Sequence, residues 1–246
     1  MIRSTEYGEG NVIISLYTGE YGKVGVMVRG AKKSKSRHAA VTQLYTYGEY
    51  VYYKGNNSSL GTLNHADLIN AYQRVRSELL SSAYAAYFAE LVDRLVQDGE
   101  ASAGIFHQLQ AALEALNESK DPQVVAHLLE MKLFQHAGIA PVLNACVSCG
   151  REGHERESAA WSAALGGLLC DQCGFGALDR TAIPAAVLKC MRLFERTDLR
   201  RLGAVQLKPQ TKKALKQVIR AWMDTHADIR FKSRAVLDQV EALYDS

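Results

Sequence analysis

Five cysteines punctuate a chain of 246 residues, and four of them form two close pairs, Cys146-Val-Ser-Cys149 and Cys170-Asp-Gln-Cys173, twenty residues apart. Two intervening residues bring both sulfurs of a pair to one side of a tight turn, and the C-x2-C-x20-C-x2-C spacing is that of a tetrahedral zinc site. The glycine that follows each pair, Gly150 or Gly174, can take the positive φ that lets backbone N–H groups point at thiolates. Four sulfur ligands leave no coordination position for an activated water, so the pattern predicts one structural Zn2+ and not a catalytic one. His154 lies between the pairs and could compete as a ligand, but four cysteines suffice and a surface histidine is expected there. The polar start, Met1-Ile-Arg-Ser-Thr-Glu, lacks the apolar core of a secretion signal, and no apolar run approaches the roughly 20 residues needed to cross a bilayer. A cytoplasmic location is therefore expected, where thiols stay reduced and metal is favoured over disulfides. The fifth cysteine, Cys190, shares a helical face with Val187, Met191 and Phe194 and is read as a small buried apolar residue.

A second chemistry is written in the charge. The overall balance of +3 hides a strong asymmetry. Lys and Arg exceed Asp and Glu by four in residues 1–38 and by nine in 189–234, whereas 39–188 is acidic by seven. Arg29, Lys32, Lys33, Lys35 and Arg37 crowd one stretch that holds no acid. Such density is costly in self-repulsion unless a polyanion visits, which points to phosphate contact, with DNA as the expected partner. A helix starting at Pro209 would place Lys212, Lys213, Lys216 and Arg220 on one side with Leu215, Val218, Ile219 and Trp222 on the other; with Lys208 just ahead, this is a basic stripe backed by a core face. Tyrosines are dense early: Tyr7, Tyr17, Tyr21, Tyr45, Tyr47, Tyr50, Tyr52 and Tyr53. As a group they offer platforms for base stacking, although each one alone is more simply a packed strand residue.

Enzyme signatures are weak. Thr18-Gly-Glu-Tyr-Gly-Lys-Val24 has glycines too close for a phosphate loop and no Ser or Thr after the lysine. There is no H-E-x-x-H and no G-x-S-x-G, and His127-Leu-Leu-Glu130 is expected on a solvated helix face. A non-enzymatic DNA-binding protein is the favoured reading, beside an RNA-binding zinc-ribbon protein and an adapter whose basic faces hold acidic protein tails.

These residues need elements to position them. Period-two alternation marks strands at 11–17 and 23–29, with Val24, Val26 and Val28 facing a core; further strand signals fall at 47–53, 60–63 and 67–72. Several short strands in so short a stretch suggest a small closed barrel. Residues 30–38 lack apolar periodicity and read as a flexible, solvated loop. From residue 77 the period becomes helical, with helices expected over 77–97, 104–117, 121–137, 184–196, 209–225 and 233–244. The cysteine segment 144–178 interrupts them, and Leu165-Gly-Gly167 reads as a glycine-capped hairpin between Ala160-Trp-Ser-Ala and Leu168-Leu169. The expected fold is α+β and multidomain: an N-terminal oligonucleotide-binding (OB) type β-barrel over 1–74, then an α-helical domain over 75–246 carrying a four-cysteine, zinc-ribbon-like insertion at 144–178.

Several separate motifs, in order along nearly the whole chain, resemble the bacterial RecO recombination-mediator family. They are Tyr7-Gly-Glu-Gly, the run Gly22-Lys-Val-Gly-Val-Met-Val-Arg-Gly-Ala-Lys-Lys-Ser-Lys-Ser-Arg37, Ala83-Tyr-Ala-Ala-Tyr87 with Glu90-Leu-Val-Asp-Arg94, Leu165-Gly-Gly-Leu-Leu-Cys170, and Lys232-Ser-Arg234. The resemblance implies an OB-type barrel, a central helical domain and a zinc module. It further implies binding of single- and double-stranded DNA, annealing of complementary strands, and work with RecR so that RecA replaces single-strand-binding protein, whose acidic tail the helical domain contacts. Family members carry strand residues ahead of the segment corresponding to Ile2-Arg3, so a short first strand is expected.

Overall fold

The computed structural model describes residues 1–33, 35–56, 58–152 and 158–244. It divides into two compact units, one built from Met1–Pro122 with Phe231–Ser246 and the other from Gln123–Arg230.

The first unit opens with five strands, β1 (Arg3–Tyr7), β2 (Asn11–Thr18), β3 (Gly22–Val28), β4 (Tyr47–Tyr53) and β5 (Leu60–Asn70), in the order β1-β2-β3-β5-β4. Strands β2 and β3 pair antiparallel with Ile14 opposite Val26, and alternation buries Val12, Ile14, Leu16, Val24, Val26 and Val28 on one face, with Ala31 added at the end. The two signals at 60–63 and 67–72 form one strand, because β5 stays paired with β4 through register shifts beside Gly48 and Tyr52. Gly48 is needed there: a Cβ would run into the Asp67 carbonyl.

The expected closed barrel is corrected to a sheet with two edges. Strand β1 pairs along all five residues with β2, β4 pairs with β5, and the edge segments approach at Met1, whose carbonyl accepts from Tyr45 N–H at 3.0 Å.

Helices α1 (Gln73–Ser77), α2 (Leu79–Leu95), α3 (Ala103–Asn117) and α8 (Lys232–Tyr244) complete this unit. The break between α1 and α2 is the extended Glu78. Helix α2 buries Tyr84, Tyr87, Phe88 and Leu91, and Ser102 caps α3 by accepting from Ile105 N–H at 3.2 Å. Glu90 of α2 accepts from the Lys232 and Ser233 N–H groups at 2.9 and 2.7 Å, so it fastens the first turn of α8. Burial pushes this carboxyl up, and the hydrogen bonds from Ser233 and Lys232 outweigh it and hold its pKa below the usual range.

The second unit holds α4 (Pro122–His136, all but its first residue), a sheet β7-β6-β8 from β6 (Ser158–Ser162), β7 (Gly167–Leu169) and β8 (Thr181–Pro184), the short α5 (Asp171–Gly174), then α6 (Ala185–Arg196) and α7 (Pro209–His226). Helix α4 is apolar almost all round and is buried accordingly. The expectation that His127 and Glu130 sit on a solvated face is wrong. Both are buried, 4% and 2% exposed, and one turn apart they pair, His127 Nδ1 lying 2.6 Å from Glu130 Oε2. Cys190 is half-buried on α6, whose core face is Val187, Leu188, Met191 and Phe194. Among the described residues no helix is long and apolar enough to cross a membrane.

Candidate metal centre and nucleic-acid interface

The hairpin read from the glycines brings the two cysteine pairs together. Residues 163–166 turn between β6 and β7, with Ser162 opposite Gly167 and Trp161 opposite Leu168. Gly166 and Gly167 have φ of 100° and 145°. Val142 crosses beside them, its N–H donating to the Gly166 carbonyl and its carbonyl accepting from Leu168 N–H, both at 3.0 Å. A Cβ on Gly167 would strike the Val142 backbone, which is why no other residue serves there. Within the first pair, Val147 N–H donates to the Leu168 carbonyl at 2.8 Å, and Gly150 N–H closes the turn on the Cys146 carbonyl.

The outcome is a single cluster: the Sγ atoms of Cys146, Cys149, Cys170 and Cys173 all lie within 4.8 Å of one another. Sulfurs of a tetrahedron with metal–sulfur bonds of about 2.3 Å stand about 3.8 Å apart, and Cys149 Sγ and Cys170 Sγ are separated by 3.8 Å. Cys146 and Cys170 are buried, Cys173 is half-buried and Cys149 exposed. Two of the thiols, Cys146 and Cys170, are drawn toward the thiolate form. Burial pushes Cys146 up, and backbone N–H groups of Cys170, Cys149 and Ser148 overcome it, drawing the pKa down to about 6. Cys170 is lowered chiefly by the Cys173 N–H, 3.4 Å from its sulfur. Cys173 is pushed up to about 12 by hydrogen bonds with the Cys170 and Cys149 sulfurs, the mark of thiols sharing charge at close quarters.

Gly150 has the anticipated positive φ, 72°. Gly174 does not. It sits in α5 against the sheet, where a Cβ would come within 3.2 Å of Ala160 Cβ, so its requirement is space and not φ. His154 lies outside the described residues.

The basic stretch after β3 is less free than its composition suggested. Ala31 is buried in the sheet core, Asn11 Oδ1 accepts from Gly30 N–H at 2.9 Å, and Lys32 N–H donates to the Gly10 carbonyl at 3.1 Å. Successive turns continue through Lys33, Ser36 and Ala39. On this anchored loop Arg29, Lys32, Lys33, Lys35 and Arg37 are all exposed. Lys32 forms an ion pair with Glu6, and Arg37 Nε lies 3.0 Å from His38 Nε2. Burial, with Arg37 and His65 nearby, lowers the pKa of His38.

In the second unit α7 buries Leu215, Ile219, Trp222 and Met223. Lys208 and Lys213 are exposed, whereas Lys212, Lys216, Arg220 and Val218 are half-buried.

The tyrosines do not form one platform. Tyr17 and Tyr45 are buried and Tyr47, Tyr50 and Tyr52 half-buried. Tyr7, Tyr21 and Tyr53 are exposed, on the two edge strands and the β2–β3 turn, so they make no cross-strand row. A cavity of about 550 Å³ in the first unit, lined by Tyr17, Tyr45, Tyr47, Tyr72 and Phe106 among others, was not foreseen. Its lining includes Glu20 and Glu49 but no Lys or Arg, so it is no path for phosphates.

Two family models divide this chain between them: "Recombination protein O N terminal" matches residues 1–72 and "Recombination protein O C terminal" residues 76–235. The chain belongs to the RecO family. The DNA repair protein RecO of Halalkalibacterium halodurans is 39% identical over 243 residues, covering 99% of this chain and 94% of that protein. Those of Exiguobacterium sibiricum and Bacillus subtilis are each 38% identical, over 100% and 99% of this chain and 96% and 93% of theirs. Glu90 and Lys232-Ser233 are the two sides of the α8 fastening.

Proposed function

We propose that this RecO protein is a non-enzymatic DNA repair and recombination mediator of the cytoplasm and nucleoid. It binds single- and double-stranded DNA through Arg29, Lys32, Lys33, Lys35 and Arg37 and through Lys208, Lys212, Lys213, Lys216 and Arg220. The β1–β5 segment within residues 1–74 acts as an OB-type oligonucleotide-binding domain, and the helical domain over 75–246 carries the metal module. One Zn2+ on Cys146, Cys149, Cys170 and Cys173 is structural: four thiolates saturate it, and it supplies cross-linking of the hairpin in place of chemistry on a substrate.

The observation that carries this reading is the row of five exposed cations on a loop whose backbone is pinned by Ala31, Asn11 and Gly10. Pinned cations neutralise a phosphate chain without first having to be ordered, and neutralised strands that would otherwise repel can pair. With RecR, the protein helps RecA replace single-strand-binding protein, whose acidic tail is a further partner. The test is annealing of complementary strands coated with single-strand-binding protein, in the absence of any nucleotide. Annealing that rises with added protein, and further loading of RecA when RecR is present, is the expected result. A loaded, folded protein that leaves coated strands unpaired would remove the mediator role.

A further inference from the structure

Both tryptophans of the chain, Trp161 and Trp222, meet in one place. Trp161 is on β6 and 3% exposed, Trp222 is on α7 and 2% exposed, and their ring centroids are 5.3 Å apart. His226, one turn further along α7, lies with its ring 4.0 Å from that of Trp222 at 32°. Its Nε2 is 2.8 Å from the Ala163 carbonyl, at the hairpin turn. Helix α7 thus grips the cysteine hairpin at two points, by an aromatic contact in its middle and by a hydrogen bond at its tip.

The other side of the same hairpin is held by the cysteines. Strand β7 runs directly into Cys170, Leu168 is tied to the backbone of the first pair at Val147, and Gly174 of the second pair packs on Ala160, the neighbour of Trp161. The carboxylate of Asp179 accepts from Ser162 Oγ and from Ala164 N–H at 2.5 and 2.9 Å, so the turn that offers the Ala163 carbonyl to His226 has no slack of its own. A four-sulfur cross-link at one end of this hairpin therefore fixes the position of Trp161 and Ala163 at the other. Trp222 and His226 are on the same rigid helix as Lys212, Lys216 and Arg220, and a helix moves as one body.

We propose that the four-cysteine module sets how α7 presents its basic face, with Trp161, Trp222 and His226 as the positioning residues that carry the effect of metal to the helix. The DNA-contacting power of α7 is then metal-dependent, while that of the loop at 29–38, anchored in the other unit, is not. This inference rests on the proposed DNA reading for its consequence and on the hairpin geometry for its cause.

The experiment compares the full chain loaded with one zinc and the same chain stripped by a chelator under reducing conditions. Three readouts are taken: tryptophan emission, which comes from Trp161 and Trp222 alone, amide hydrogen exchange, and the salt dependence of single-stranded oligonucleotide binding. Stripping is expected to shift the emission and speed exchange in 209–226 while 79–95 keeps its protection. It should also flatten the salt dependence by about 2, at about 0.7 per phosphate for three cations. Lys212→Ala with Lys216→Ala should weaken binding of the loaded protein and do nothing further to the stripped one.

Because stripping can unfold the hairpin outright, His226→Ala provides the second arm: it leaves all four sulfurs in place, should bind one zinc, and should still flatten the salt dependence, with His226→Gln restoring it. Unchanged emission and α7 exchange on stripping, or a full slope in zinc-loaded His226→Ala, would overturn the proposal. If the loaded protein ignores DNA altogether, the proposed function falls, while emission and exchange still decide the coupling.

Discussion

The loop at 29–38 and helix α7 carry comparable positive charge, yet the protein holds the two in different ways. The loop keeps five cations exposed, and its position comes from one buried alanine and a handful of backbone hydrogen bonds. On α7 three of the four cations are half-buried and the helix is fastened through large aromatic rings. Charge that is wrapped around a turn needs only local anchoring. Charge laid along a helix inherits its direction from whatever the opposite face packs on, here α6 and β8 together with the Trp161 ring.

The contrast breaks most visibly on metal removal. Chelation is expected to unfold the hairpin of the second unit, where structural zinc in isolated finger peptides contributes on the order of 10 kcal/mol. Hydrogen exchange should rise across 142–184 while α2 and α8 of the first unit stay protected. Next comes Trp222→Ala, which empties a fully buried site and should destabilise the second unit by about 3 to 5 kcal/mol, read by urea unfolding. A third test acts on the loop: Lys32→Ala, Lys33→Ala and Lys35→Ala combined should leave the melting temperature unchanged and reduce the salt slope of DNA binding by about 2.

The smallest effect concerns the α8 fastening. The Glu90 carboxyl has its pKa held down in the folded chain, so its contribution is complete above the ordinary carboxylate value near about 4.3 and is lost as pH falls through the folded value. Glu90→Gln should therefore lower the stability of the first unit at neutral pH, by an amount that shrinks as pH falls through the folded value, so that the acid limb is flattened. An acid limb unchanged by that substitution would show that Ser233 and Lys232 gain nothing from the charge.

Much of this was legible in the residues. The cysteine spacing placed the sulfur cluster, and the proline and glycine punctuation placed the ends of α4, α6 and α7 within a residue or two. What escaped the sequence depended on partners far away along the chain. Strand β1 carries no apolar alternation, since all its residues are exposed, and it exists because β2 offers a paired edge. The length of β5 follows from its ladder to β4, and β8 from Ala159 facing Ile183 across the sheet. His127 and Glu130 looked solvated as isolated polar residues. The available clue was their one-turn spacing within a helix rich in apolar residues. Gly174 was read for φ, whereas the structure uses it for its missing side chain, a requirement set by Ala160 fourteen residues earlier.

The path of the chain between the units has a consequence of its own. The polypeptide leaves the first unit at Pro122 and returns to it at Phe231, so the metal-bearing unit is an excursion from the chain of the first unit, whose returning helix α8 packs on α2. Melting of that excursion releases a loop with joined ends, which gains less entropy than a free tail would. A single proteolytic cut within it would leave both fragments held together through α2 and α8.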